Sequence, residues 1–230
     1  MEHHQLKTSS ERNFLQFAPF NLDVSYHEIF AALCLGRSLF IVPEDSRLDL
    51  AKLSQLLANN PIHKAILPVT LLQQLIETYS EETYLFANLR EIISAGEQLQ
   101  ITPTMISAFK KLEHCTLYNY YGPTEADIVT SYTFEPNPEL WPKYIPIGKP
   151  AINVQVYILN SHLQPLPIGV TGELYVAGGG LARGYFNNSQ LTQEKFIPNP
   201  FEKDEVIPPT PLNKEGNEPS KLYKTGDLAR

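Results

Sequence analysis

Cysteine is scarce in this sequence. Cys34 and Cys115 are the only two in 230 residues. They lie far apart, each inside an apolar run, which excludes a disulfide framework and predicts two small core residues. The six histidines show no paired spacing, and no cysteine pair can complete a zinc set, so no structural metal site is expected. No apolar run reaches the roughly 20 residues that a membrane span requires. The start, Met1-Glu2-His3-His4, has no apolar core of signal-peptide type. A soluble, cytoplasmic protein is the expectation. Lys/Arg blocks are also missing, and the formal net charge is −7, which argues against a nucleic-acid or anionic-membrane surface. A local nucleotide pocket stays compatible with that charge. The 43% hydrophobic content is enough for a real core and excludes wholesale disorder.

Short apolar runs alternate with amphipathic stretches between residues 23 and about 134. Ser25-Tyr26-His27-Glu28 has the spacing of a capping box, and Ile29, Phe30 and Leu33 continue it as a helical face. Leu39 to Val42 reads as a strand that stops at Pro43. Leu50, Leu53, Leu56 and Leu57 mark a helix; Ala65-Ile66-Leu67 follows as a strand. Leu71, Leu72, Leu75 and Ile76 mark another helix, and Glu91 to Ser94 another strand. Thr102-Pro103 is a cap with proline in the first turn, opening a helix that ends near Leu112. Thr116 to Asn119 is a strand leading into the turn Gly122-Pro123.

Strands recurring about every 25 residues with helices between them predict an α/β fold, a mostly parallel sheet flanked by helices. Ligands of such sheets gather at the carboxyl ends of the strands, where the loops at Asp23, Ala95-Gly96-Glu97 and Tyr121 to Glu125 fall. From Pro136 to Pro150 five prolines precede a change of pattern. Val154 to Leu159 and Glu173 to Ala177 read as strands, with a short helix near Ser189 to Phe196. The expected division is an α/β part over 1–146 and a β-rich, distorted barrel-like part over 147–230. The polar, proline-rich stretch 203–220 reads as an exposed insertion.

The most informative segment is Asn119-Tyr120-Tyr121-Gly122-Pro123-Thr124-Glu125. Read from the residues alone, Gly-Pro is a turn and Thr-Glu an ordinary helix start. A hydroxyl and a carboxylate at a strand-to-helix turn could equally serve a phosphate and its Mg²⁺. Gly178-Gly179-Gly180 lacks the Lys-Ser/Thr of a phosphate loop and reads as a turn between strands.

The segment resembles the Tyr-Gly-Pro-Thr-Glu signature of the adenylate-forming superfamily, in particular the adenylation domains of nonribosomal peptide synthetases. Three more segments are similar to motifs of that family, in order. They are Leu22-Asp23-Val24-Ser25-Tyr26-His27-Glu28, Gly172-Glu173-Leu174 through Gly180-Leu181-Ala182-Arg183-Gly184-Tyr185, and Tyr223-Lys224-Thr225-Gly226-Asp227-Leu228. One such string is weak, but four in register span nearly the whole chain.

The resemblance implies ATP-dependent activation of an amino acid to aminoacyl-AMP, with ATP and Mg²⁺ as cofactors. A carrier protein or domain bearing phosphopantetheine, and the remaining synthetase segments, are the implied partners. It implies that Tyr121 stacks on adenine, with Ala95, Gly96 and Glu97 along its other face and Asn119 and Gly122 beside it. Thr124 bonds phosphate, Glu125 holds Mg²⁺, and Asp227 receives both ribose hydroxyls. Asp23 pairs with the substrate α-ammonium; the bland alternative is a cap on the helix that follows, a position Ser25 can already fill. The remaining pocket positions are Val24, His27, Ile66, Ile93, Ala95, Tyr120, Ile128 and Val129. Their mostly apolar walls imply a modest uncharged side chain, proline-like in its Asp-Val start. His27 and Tyr120 depart from the family's glutamine and histidine there, and Leu22 from its phenylalanine.

The family's upstream phosphate loop and its C-terminal small domain with a catalytic lysine have no counterpart in these residues. An internal fragment with little activity of its own is therefore expected. Two other readings stay open: an acyl-CoA synthetase-like enzyme acting on plain carboxylic acids, and a degenerate fragment that binds nucleotide without catalysis.

Overall fold

Parallel strands cannot be joined by tight turns, so consecutive β-runs in a parallel sheet need helical crossovers between them. The computed structural model, which describes residues 13–201 and 220–230, has this arrangement. Its contacts divide the chain into two units. One runs to Tyr120 and resumes over Ser131–Gly148; the other comprises Tyr121–Thr130 and Lys149–Arg230. Most of the insertion read at 203–220 lies outside the described residues.

The first unit is built from β1 (Phe14–Gln16), α1 (Val24–Leu33), β2 (Leu39–Ile41), α2 (Leu50–Asn59), β3 (Lys64–Pro68), α3 (Val69–Thr78), β4 (Glu91–Ala95), α4 (Pro103–Lys111), β5 (Thr116–Tyr121) and β6 (Thr130–Thr133). The strands lie in the order β2-β1-β3-β4-β5-β6, and β1 to β5 pair in parallel. β1, three residues long, has no signal in the sequence pattern but lies between β2 and β3, one strand in from the edge.

Register decides which side chains meet. Ala65, Ile92 and Leu117 align across β3, β4 and β5, as do Ile66, Ile93 and Tyr118. Neighbours along a strand point to opposite faces. Ile92 and Ile93 are 2% and 0% exposed, so both faces of the sheet are covered. One face packs with Leu53 and Leu57 of α2, Leu72, Leu75 and Ile76 of α3, and Met105 and Phe109 of α4 in a single apolar core. α1 covers the other face, where Glu28 meets Gln16 and His27 meets Tyr120.

The starts of α4 and α2 follow the local chemistry. Thr102 Oγ1 accepts the Met105 N–H, with Pro103 in the first turn, as the sequence predicts. Asp49 caps α2 by accepting from Ala51 and Lys52. α1 departs from its expected capping box. Its N-cap is Asp23, whose Oδ1 accepts the Val24 N–H, while Ser25 Oγ donates to the Leu22 carbonyl. Glu28 turns inward, and its carboxylate accepts from the Phe17 and Ala18 N–H groups just past β1. Those two donors have left the sheet ladder, and Glu28 supplies the acceptor that buried backbone N–H groups require. Cys115 is buried as expected. Cys34 is exposed instead, because α1 turns it outward one helical turn beyond exposed Phe30.

The second unit carries β7 (Lys149–Pro150), β8 (Val154–Leu159), β9 (Gly172–Gly178), α5 (Ser189–Lys195), β10 (Phe196–Pro198) and β11 (Lys221–Ala229). Four of these strands form an antiparallel sheet in the order β10-β11-β9-β8. Its β9 has a core on each side. Tyr175 and Ala177 pack with Leu159 and Leu222; Val176 packs with Ala126 and Val129 of the 121–130 segment. Among the described residues no helix is long and apolar enough to cross a membrane.

The 121–130 segment does not start a helix. Thr124, Glu125 and Ala126 make a single turn closed by the Ala126 N–H on the Pro123 carbonyl. Asp127 then takes a left-handed φ of 54°, and the β-branched run Ile128-Val129-Thr130 enters β6. The strand-to-helix turn entertained from the sequence is thus a strand-turn-strand.

The buried carboxylate and the turn after β5 each lead to a measurable outcome. Burial pushes the Glu28 carboxyl up to about 7, against the lowering effect of its hydrogen bonds from Phe17, Ala18 and Gln16 and of the Arg47 charge. The folded chain therefore holds that proton more tightly than the unfolded chain, whose value is near 4.5. Its contribution to stability is complete below pH 4.5 and falls as pH rises to about 7. Glu28→Gln should flatten that decline, on the order of 2 kcal/mol, in urea midpoints compared with wild type across this window. An identical slope in both proteins would refute the assignment.

At the turn after β5, a Cβ on Gly122 would meet the Asp127 carbonyl oxygen at 1.5 Å, whereas one on Gly179 would meet nothing within 4 Å. Gly122→Ala should lose about 1–3 kcal/mol of stability to backbone displacement. Gly179→Ala, melted alongside it, should stay within about 0.5 kcal/mol of wild type. Equal melting of the two variants would contradict the turn geometry.

Candidate active site

In the second unit, chemistry-bearing residues far apart in sequence share direct hydrogen bonds. Tyr121 O–H donates to Asp227 Oδ2 at 2.5 Å. A bulge in β11 between Lys224 and Leu228, with Gly226 at φ 86°, lifts Asp227 out of the ladder. Thr225 fixes the bulge. Its Oγ1 donates to the Leu174 carbonyl at 2.7 Å and accepts the Asp227 N–H at 3.0 Å. Burial first, and then the neighbouring Asp227 carboxylate, raise the Tyr121 hydroxyl pKa, so the phenol keeps its proton and donates.

Glu125 is held from two sides. Its carbonyl accepts the Ala182 N–H at 2.7 Å, and its Oε1 accepts the hydroxyl of Tyr185. The Tyr185 and Tyr223 hydroxyls lie 3.5 Å apart. Burial works to raise the Glu125 pKa, but the Tyr185 and Tyr223 hydroxyls, with the Lys195 charge, outweigh it, and the carboxyl sits below its ordinary value. Glu125 is therefore an anion with an ordered oxygen. Thr124 is exposed and its hydroxyl makes no hydrogen bond among the described residues. Ile128 is half-buried, and Val129 is fully buried against Ala126 and Val176.

In the first unit, Asp23 and His27 are one helical turn apart on the same side of α1. Asp23 Oδ1 is used by Val24, and Oδ2 has no hydrogen bond among the described residues. The cap role weighed from the sequence is therefore real, and it occupies one oxygen of two. Val24 and His27 are half-buried. Ile66, Ile93, Ala95 and Tyr120 share the sheet face that α1 covers, in register across β3, β4 and β5. The rings of His27 and Tyr120 meet edge to face at 6.5 Å. Gly96 follows β4 at φ 91° with open space where a Cβ would stand, and Glu97 is exposed beside it. Asn119 points the other way. Strand alternation turns it to the opposite face from Tyr120, where its Nδ2 donates to the Pro146 carbonyl at 3.2 Å.

Several contributors escaped the sequence reading. Tyr185 and Tyr223 stood inside the quoted motifs without a role, because a 38-residue separation hides a shared partner. Lys64 and Glu91 are paired at 3.3 Å under α1, with side chains only 6% and 14% exposed. The signal was available: Lys64 stands two residues before Ile66 in one strand, so it points to the same buried face.

The family model for AMP-binding enzyme matches residues 1–186. Gramicidin S synthase 2 of Brevibacillus brevis is 36% identical over 219 residues, covering 94% of this chain and 4% of that protein. Tyrocidine synthase 3 of Brevibacillus parabrevis is 40% identical over 218 residues, covering 94% of this chain and 3% of that protein. This chain thus spans a few per cent of the length of these curated relatives. Among solved structures, a nonribosomal peptide synthetase protein with adenylation and PCP domains, holo-PA1221 bound to a vinylsulfonamide inhibitor, superposes with TM-score 0.78 at 26% identity. It covers 96% of this chain and 35% of that one. The N-terminal subdomain of Klebsiella oxytoca NpsA in complex with 3-hydroxybenzoyl-AMSN gives TM-score 0.75 at 25% identity, with 96% and 52% covered. With 186 of its 230 residues matched by that model, the chain belongs to the AMP-binding enzyme family.

Proposed function

We propose that this chain carries the nucleotide- and amino-acid-binding elements of an amino-acid-adenylating ligase of nonribosomal peptide synthesis, acting in the cytoplasm. In the reaction the substrate carboxylate attacks the α-phosphate of ATP, forming aminoacyl-AMP and releasing pyrophosphate. The observation that carries the reading is the Tyr121–Asp227 hydrogen bond. It joins an aromatic ring to a carboxylate across 106 positions, the pair needed to stack a base and grip a ribose.

Tyr121 offers its ring to adenine while its hydroxyl orients Asp227, whose Oδ1 stays open to ribose hydroxyls. The Cβ-free surface at Gly96 admits close approach of a flat ring. Thr124 presents its unengaged hydroxyl to phosphate. Asp23 receives the α-ammonium through Oδ2 while Oδ1 keeps its cap bond. Aminoacyl transfer would then pass to phosphopantetheine on a carrier, as the adenylation and PCP domains named for PA1221 suggest.

Glu125 fits an Mg²⁺ that comes with nucleotide. The described residues hold no group of three potential metal ligands, and Mg²⁺ characteristically takes one or two carboxylates plus substrate phosphates and water. When bound, the ion would neutralise phosphate charge as the two anions approach. Tyr185, by donating to Glu125 Oε1, keeps the carboxylate in one orientation.

Amino-acid-dependent ATP–pyrophosphate exchange, run on this chain and on a form extended at both ends, tests the reading. The extended form should exchange with an amino acid, and Asp23→Ala should raise its KM for that amino acid by about 10- to 100-fold while leaving the KM for ATP unchanged. Exchange with fatty or aryl acids alone, indifferent to Asp23→Ala, would instead support the acyl-CoA synthetase-like reading.

Tyr185→Phe should weaken Mn²⁺ binding in the presence of nucleotide by about tenfold, read by electron paramagnetic resonance of free Mn²⁺. Unchanged affinity in a folded variant would remove Tyr185 from the site.

A further inference from the structure

The apolar-pocket expectation leaves one group unexplained. His27 Nε2 is buried and has no hydrogen-bond partner among the described residues. Its ring stands on the α1 side of the sheet, one helical turn beyond Asp23 and edge-on to Tyr120 at 6.5 Å. Lys64 lies near enough for its charge to act on the imidazole. That charge is opposed in turn by Glu91 at 3.3 Å.

Resting on the amino-acid-binding reading above, we propose that the side chain selected by this protein carries an uncharged hydrogen-bonding group, a hydroxyl or a carboxamide, that bonds Nε2 of His27. Asp23 and His27 share one face of α1, so a substrate whose ammonium meets Asp23 extends its side chain along the face that bears His27. Nε2 is already shut off from water without a partner, the costly arrangement for a buried polar atom, and an apolar side chain would leave that cost in place while a hydrogen-bonding one would remove it.

Charge narrows the class. Burial, with help from the Lys64 ammonium, lowers the His27 pKa to about 4, so the imidazole is neutral at physiological pH. A cationic side chain would meet Lys64, and an anionic one would meet Glu91, with Lys64 already engaged by it. Hydroxyls and carboxamides both donate and accept, so they satisfy Nε2 in either ring tautomer. The walls from Ile66 and Ile93 remain apolar and set shape, while His27 sets polarity. A proline-like substrate, the expectation from sequence, leaves this nitrogen unanswered.

Isosteric pairs separate the alternatives. In the exchange-competent extended form, Thr should exceed Val and Asn should exceed Leu in kcat/KM, the pair matching the true substrate by about 100-fold or more. Ser, Gln, Pro, Asp and Lys complete the panel. His27→Leu should bring the ratio of the discriminating pair below about tenfold. Because that variant could fold poorly, nitrogen NMR of the imidazole in the unmutated protein provides a second measurement. The His27 Nε2 resonance should shift on adding the polar partner and stay fixed with its apolar isostere. Preference for Pro, Val or Leu, or for Asp or Lys, with Nε2 unmoved, overturns this inference and leaves the adenylation reading intact. Absence of exchange with every amino acid overturns both.

Discussion

The parallel register of β3, β4 and β5 is the constraint on which the first unit's chemistry depends. Lys64 pairs with Glu91, and two steps further Ile66 with Ile93 and Tyr118. Two more steps bring Pro68, Ala95 and Tyr120 level at the carboxyl ends. One register therefore orders an ion pair at the bottom, apolar walls in the middle and loop-borne groups at the top. A slip of one residue would turn every one of these side chains to the opposite face. The large core with α2, α3 and α4 makes such a slip expensive, since Ala65, Ile92 and Leu117 would leave it together.

Much of this was legible in the sequence, where periodicity is strong. The crossovers α2, α3 and α4 declare themselves through leucines at helical spacing, and Thr102-Pro103 marks its helix by a local rule that nothing tertiary overrides. The failures share a different character. The spacing Ser25 to Glu28 satisfies a capping box on paper, but the unpaired N–H groups of Phe17 and Ala18 compete for the same carboxylate. The turn at Thr124–Glu125 resembles a helix start until the β-branched run after Asp127 pairs with β5. β11 holds a bulge at Gly226, which breaks the alternation by which strands are recognised. In each case a long-range partner outbids a local preference, and a single sequence does not display long-range partners.

The candidate site divides along the same line. Motif residues were legible individually, but the bonds that give them direction were not. Tyr121 could be placed in the sequence as an aromatic surface; that its hydroxyl restrains Asp227 depends on the bulge in β11. Asn119 shows the reverse. It sits beside Tyr120 in the motif, and alternation alone assigns it to the other face of the sheet.

Buried charge in the first unit has a consistent logic. Glu28 is surrounded by donors, and Lys64 is answered by Glu91 and by the face of Phe14 at 5.4 Å. A buried pair of this kind contributes little net stability once desolvation is counted, yet losing one partner is severe. The Lys64 charge acts on a neutral imidazole, His27, which stands one helical turn from an aspartate with one open oxygen. In the function proposed above, that arrangement would separate two tasks on one helix face. On the proposed reading, Asp23 would recognise what all α-amino acids share, and His27 would address what distinguishes them. Because the two are joined by a rigid helical turn, a side chain of the wrong polarity cannot be accommodated by shifting the ammonium without giving up the Asp23 contact. On that reading discrimination would be coupled to the backbone of α1, which the carboxylate of Glu28 anchors to the end of β1.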